Sequence, residues 1–136
     1  MRSEDRGKGS PIERGAAHGE LPFSRYVRAG ETIYVSGIVG RDPGSQELAR
    51  DDLETQTRVA LEVIEDILAE AGVGLADVVK ATIFVTDMAR YGDVNRAYRR
   101  AFGDELPART CVEVASLPDP EAQVEIEVVA TGWGKR

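Results

Sequence analysis

The sequence predicts an α+β protein in which two helices pack on one face of a mixed sheet, in the order β-β-α-β-α-β-β. Three observations carry that reading. Apolar residues between 53 and 71 recur at helical spacing; 77–87 is a short β-branched run; and 108–115 and 123–131 alternate with period two.

The first β-prone runs lie in "SRYVRAGETIYVSGIVGRD", where Ala29-Gly30-Glu31 reads as the turn of a hairpin. Leu53, Ala60, Leu61, Ile64, Ile67, Leu68 and Ala71 then form one apolar stripe. Asp51, with Glu54 three residues later, predicts a capped start to this helix, and Gly72 its end. "DVVKATIFVTD" is nearly continuous in apolar and β-branched residues, as a central strand requires. Asp87 is placed to cap a second helix that carries Tyr91, Val94, Tyr98 and Phe102 on one face and stops near Gly103. "ARTCVEVA" and "QVEIEVVAT" follow as strands, joined by the turn-forming "SLPDPEA".

Residues 1–20 are rich in Gly, Arg, Glu and Ser and have little to bury, so they read as a flexible tail before a single domain over 21–134. At 136 residues, 42% hydrophobic and 30% charged, the chain suits one soluble domain. One cysteine, Cys111, forms no internal disulfide, which makes a reducing, cytoplasmic location the expectation. With His18 the lone histidine, no usual zinc ligand set exists, and no metal is expected. The 24 acidic against 17 basic residues give a net charge of −7, which argues against nucleic acid as a partner. No apolar run approaches the ~20 residues of a membrane span.

Alternation sorts the strand residues into two sets. Thr110, Val112 and Val114 share one face of their strand, and Arg109, Cys111 and Glu113 the other. Val124, Ile126, Val128 and Ala130 oppose Glu125, Glu127 and Val129 in the same way. If the valine and isoleucine faces meet the helices, Arg109, Cys111 and Glu125 project from the uncovered side. A sheet face of that mixed character is often buried by another subunit.

The quoted elements, with "YVSG" at 34–37, "QT" at 56–57, "AG" at 71–72, "VNRAY" at 94–98 and "PARTCVEVASLP" at 107–118, resemble the Rid family, also called YjgF or L-PSP, across about residues 22–132. The resemblance implies a chorismate-mutase-like fold and a homotrimer whose three sheets form a central barrel, with clefts between subunits. It also implies hydrolysis of small amino-acid-derived enamines and imines to 2-keto acids and ammonia, without a cofactor. By motif, Arg109 would hold the substrate carboxylate and Glu125 would position or activate water. Cys111, Ser36 and Asn95 would lie at the cleft.

Two positions depart from the deaminase branch, which has Tyr where this chain has Phe23 and Gln where it has Ile38; both are expected at the pocket. The turn before Glu125 is one residue longer. These departures keep two other readings open: a carboxylate-binding or sensing protein without catalysis, and a deaminase repurposed for a 2-aminomuconate-like substrate. The endoribonuclease activity ascribed to some relatives is disfavoured by the acidic balance. From pattern alone, Arg109 is an ion-pair partner for Glu113 or Glu127, Glu125 a solvated strand residue and Cys111 a small buried hydrophobe. Ser36 would satisfy turn backbone, Asn95 a neighbouring loop, and Phe23 would pack at a wall or interface.

Overall fold

A computed structural model describes residues 12–133. Its strands are β1 (Ile12–Arg14), β2 (Tyr26–Ala29), β3 (Thr32–Val39), β4 (Val78–Val85), β5 (Ala108–Glu113) and β6 (Val124–Thr131). Helix α1 (Leu53–Glu70) joins β3 to β4, and α2 (Tyr91–Phe102) joins β4 to β5. Short 3₁₀ turns at Leu75–Asp77 and Met88–Arg90 lead into β4 and α2. All six strands form one sheet in the order β1-β2-β3-β6-β4-β5. Only β4 and β5 run parallel, and α2 supplies the crossover that a parallel pair needs. The expected mixed sheet with two helices is therefore present, with one strand more.

That strand is β1. Of the tail expected over 1–20, residues 1–11 lie outside the described residues, as do 134–136. Ile12–Arg14, however, pairs antiparallel with β2, Ile12 opposite Ala29 and Arg14 opposite Val27. Backbone pairing at a sheet edge needs no apolar alternation, so the charged "IER" gave no sign of it.

Helix α1 buries Leu53, Gln56, Thr57, Ala60, Leu61, Ile64, Ile67 and Leu68. Its cap is Asp52 rather than Asp51: the Asp52 carboxylate accepts from Thr55 N at 3.0 Å and from Thr55 Oγ1 at 2.8 Å. Gly72 closes the helix at φ 85°, a left-handed position that suits glycine. The core lies between the helices and one sheet face, where Ile33, Ala81, Ile83, Val85, Val124, Ile126 and Ala130 are fully buried. Gln56 is buried with them and satisfied at both ends, donating from Nε2 to Ala49 O at 3.1 Å and accepting from Gln123 N at 2.8 Å.

Strand β3 reaches this core through a bulge, its register against β6 shifting between Val35 and Ile38. The extra residue reverses the parity set by Ile33 and Val35, so Ile38 points into the core beside Ile126 and is 2% exposed. Ile38 was expected to line a pocket; it is a core residue. Gly40, just beyond β3, lies against the α1 backbone, and a Cβ there would overlap the carbonyl of Gln56.

Because that neighbour is backbone and cannot rotate aside, Gly40→Ala should cost about 1–3 kcal/mol and lower Tm by roughly 5–10 °C. Calorimetry at neutral pH checks this; an unchanged Tm would mean that β3 and α1 are not in such close contact.

Candidate functional site

Register decides which face each candidate occupies. In the parallel pair, Arg109 lies beside Ala81 and Cys111 beside Ile83, and both partners are fully buried on the helix side. Arg109 and Cys111 therefore face the helices, and Thr110 and Val112 face away, the reverse of the expected assignment. The physical reason is position: β5 is an edge strand, so its helix side is only half covered and accepts a cation, whereas Val112 stays 38% exposed on the open face. Glu125 does project from the uncovered side, beside Phe84.

Arg109 is held by α2. Its Nη2 donates to Tyr91 Oη, and its guanidinium carbon lies 5.3 Å from the Tyr91 ring centroid and 4.8 Å from that of Tyr98. Among the described residues it has no ion-pair partner. Glu113 instead accepts from Met88 N at 2.7 Å, and Glu127 is on the opposite face, so neither makes the expected salt bridge. Asn95 lies four residues after Tyr91 and three before Tyr98, on the same side of α2 and half-buried. Its amide makes no hydrogen bond among the described residues, so the expected tie to a neighbouring loop is absent.

Burial pushes the Tyr98 hydroxyl up to about 12, against the opposing pull of Arg109. That hydroxyl is buried without a hydrogen-bond partner among the described residues. Burial also raises the Cys111 thiol, again opposed by Arg109, which leaves it protonated and poorly nucleophilic at neutral pH. Cys111 packs against the core as a small hydrophobe.

A second group of residues gathers on the open face around the β3 bulge. A Cβ on Gly37 would overlap Glu125 Oε2, so the carboxylate lies directly over the glycine and would have to rotate aside for any side chain there. Ser36 Oγ donates to Ser24 O at 2.6 Å and Ser36 N to Arg25 O at 3.0 Å, so Ser36 fastens the 24–25 segment to β3. One residue before that segment, Phe23 is 40% exposed and stacks on His18, with centroids 5.8 Å apart and planes at 18°. His18 is thus not freely solvated, and its Nδ1 is buried without a partner among the described residues. Desolvation, and secondarily the charge of Glu127, raise the Glu125 carboxyl.

The two groups are not one site within a chain. Arg109 and Glu125 lie on opposite faces, two strands and three residues apart. A strand spacing of about 4.8 Å and a rise of about 3.3 Å per residue put their Cα atoms roughly 14 Å apart. A cleft of ≈ 740 Å³ lined by Arg50, Asp51, Thr86, Ala115, Ser116 and Gln123 contains none of the expected site residues. Sequence reasoning missed Tyr91 and Tyr98 as site residues, because they fall in the helix stripe and read as core. The signal available was their hydroxyls, which a purely structural stripe does not need.

Comparison with known proteins assigns this α+β fold to a family. The family described as endoribonuclease L-PSP matches residues 15–132, and this chain belongs to it. It is 40% identical over 109 residues to a mouse 2-iminobutanoate/2-iminopropanoate deaminase, covering 80% of each chain. With a RutC family protein of Sulfurisphaera tokodaii it shares 40% identity over 110 residues, 81% of this chain and 87% of the relative. Among solved structures, the Escherichia coli YjgF product superposes with a TM-score of 0.78 at 35% identity, covering 87% of this chain and 92% of that one. A Mycobacterium tuberculosis member of the YjgF family gives 0.78 at 37% identity, over 88% and 98%. Among the described residues, no helix is long and apolar enough to cross a membrane, and no His, Cys, Asp and Glu cluster is arranged to hold a metal ion.

If desolvation is the larger cause and Glu127 the smaller, Glu127→Gln should lower the Glu125 pKa yet leave it above that of an ordinary glutamate. Carboxyl-carbon NMR titration reads this directly, and a return to the ordinary value would reverse the order of causes. A raised folded-state pKa means the folded chain holds its proton more tightly, so this group's penalty is absent at low pH. The penalty develops as pH rises from the unfolded towards the folded pKa.

Proposed function

We propose that this protein is an imine deaminase that hydrolyses small 2-imino acids to 2-keto acids and ammonia, with each site completed by two copies of the chain in a homotrimer. The observation that carries the reading is the division of the site: Arg109, with no ion-pair partner among the described residues, on one face and a desolvated Glu125 on the other. The similarity to curated 2-iminobutanoate/2-iminopropanoate deaminases supports the reaction class. The open face supports assembly, since Tyr34 and Val112 are 50% and 38% exposed there beside Phe84 and Val129. Three-fold order follows from the family resemblance.

The chemistry matches the parts. A guanidinium fork without an ion-pair partner takes a carboxylate bidentately. Beside it, the imine carbon of a protonated 2-imino acid is already electrophilic, so positioned water and a base suffice. Water attacks that carbon as a carboxylate accepts one of its protons, and the C=N π electrons move to nitrogen. The carboxylate returns its proton to the carbinolamine nitrogen and then takes the hydroxyl proton, so that the C=O bond forms as the C–N bond breaks and ammonia leaves. A carboxylate whose pKa lies above the ordinary range is the better proton acceptor here, which gives the burial of Glu125 a purpose.

The test uses 2-iminobutanoate released in situ by a threonine dehydratase, with semicarbazide trapping whatever imine survives. Wild type should reduce trapping. Arg109→Ala should lose about a hundredfold in kcat/KM and Glu125→Gln about 10²–10⁴-fold in kcat. Unfolding and reassembling the two inactive variants together should restore activity at about a quarter of the sites, those that draw Arg109 from one copy and Glu125 from another. No recovery from demonstrably mixed oligomers would sink the two-copy site.

The Arg109 cradle is complete within one chain, and that favours carboxylate binding without turnover as the second reading. Under it, 2-oxobutanoate raises Tm while imine loss matches buffer.

A further inference from the structure

Arg109 is fixed before any ligand arrives. Its Nη2 donates to Tyr91 Oη, and its guanidinium lies over the rings of Tyr91 and Tyr98, at 5.3 and 4.8 Å. Tyr91 is 38% exposed at the start of α2, so its hydroxyl is not needed to satisfy the core. The arginine carries no carboxylate partner among the described residues, and a long cationic side chain in that state ordinarily samples many rotamers.

We infer that Tyr91 is a positioning residue for the carboxylate of the substrate, holding the Arg109 guanidinium so that one defined edge of its fork is presented. This rests on the reading of Arg109 as a carboxylate site. A guanidinium offers two edges to a bidentate anion, Nε with Nη2 and Nη1 with Nη2. A hydrogen bond from Nη2 to a phenol occupies one proton of that nitrogen and so removes one of the two edges. The remaining edge sets how a 2-imino acid lies. Fixing the side chain in advance also removes ordering entropy from the binding step. Tyr91 thus acts on ligand binding through Arg109 and takes no part in proton transfer.

The alternative is a latch: the phenol would compete with the substrate for Nη2, and removing it would tighten binding. Geometry favours positioning, because the bond takes one donor of five and leaves a complete edge free.

Tyr91→Phe keeps the ring over Arg109 and deletes only the hydroxyl. Calorimetric titration with 2-oxobutanoate and steady-state imine hydrolysis should be measured for wild type, Tyr91→Phe, Arg109→Ala and the double variant. The expected result is a Kd and a KM raised about tenfold, with kcat within about twofold and Tm within about 2 °C. In the Arg109→Ala background, Tyr91→Phe should add nothing, since its effect passes through the arginine. Equal or tighter binding by Tyr91→Phe, or a lower Tm with unchanged KM, overturns the inference while Arg109→Ala, by weakening binding about a hundredfold, leaves the carboxylate site standing. If wild type itself neither binds 2-oxobutanoate nor consumes the imine, the reading of Arg109 fails and this inference falls with it.

Discussion

Strand β6 is hydrogen-bonded to β3 on one side and β4 on the other, and it sends Val124, Ile126, Val128 and Ala130 into the core at 0–2% exposure. Both helices cover that single face, and the remainder of the molecule follows from the arrangement. Alternation then forces Glu125 and Glu127 to the opposite face, where no helix lies. The carboxylate over Gly37 is thus a consequence of how the core packs. Its desolvation accompanies a close fit at the bulge, where the carboxylate lies against Gly37.

The same sheet treats its cation differently. Arg109 sits on the helix side of an edge strand, where complete burial is impossible and full solvation is prevented by α2. An ion pair would also stabilise it there, but a carboxylate side chain would occupy the donors of its fork. Aromatic faces attract the guanidinium by about 0.5–2 kcal/mol without using the donors of its fork. Stability and availability are thereby largely separated: the rings hold the charge, and one edge of the fork stays open.

How much of this could be read from residues depended on how local each determinant was. Helix α1 was legible because a 3.6-residue apolar period sustained over 18 residues fits a helix and no strand. Its cap shifted by one, since adjacent aspartates at 51 and 52 are equivalent in sequence, and Asp51, at φ 61°, lies outside the cap geometry. For β5, period two separated Arg109 and Cys111 from Thr110 and Val112 correctly, but the face was set by register against β4, a long-range fact. At Ile38 a bulge reversed the parity, so a residue expected at a pocket belongs to the core; Gly37 was the only local hint. The Tyr91–Asn95–Tyr98 side of α2 needed α2 and β5 brought together, which no periodicity encodes.

Glu125 also depends on what precedes it. The turn before β6 is tied down by Arg41, whose Nε and Nη2 donate to Asp119 at 2.6 and 3.1 Å, with Nη2 also reaching Glu121 at 2.7 Å. Gln123 N is fixed on buried Gln56 two residues before the glutamate. Hydrogen bonding to Arg41 holds the Asp119 carboxyl below its usual range. Its contribution is therefore present above the ordinary aspartate pKa and is lost as pH falls through the depressed one. Glu125 has the opposite sign, since its folded-state penalty is relieved on protonation. Acidification thus loosens the turn while it eases the glutamate. The cost of a desolvated carboxylate is borne next to a segment anchored at Arg41 and at Gln56 together.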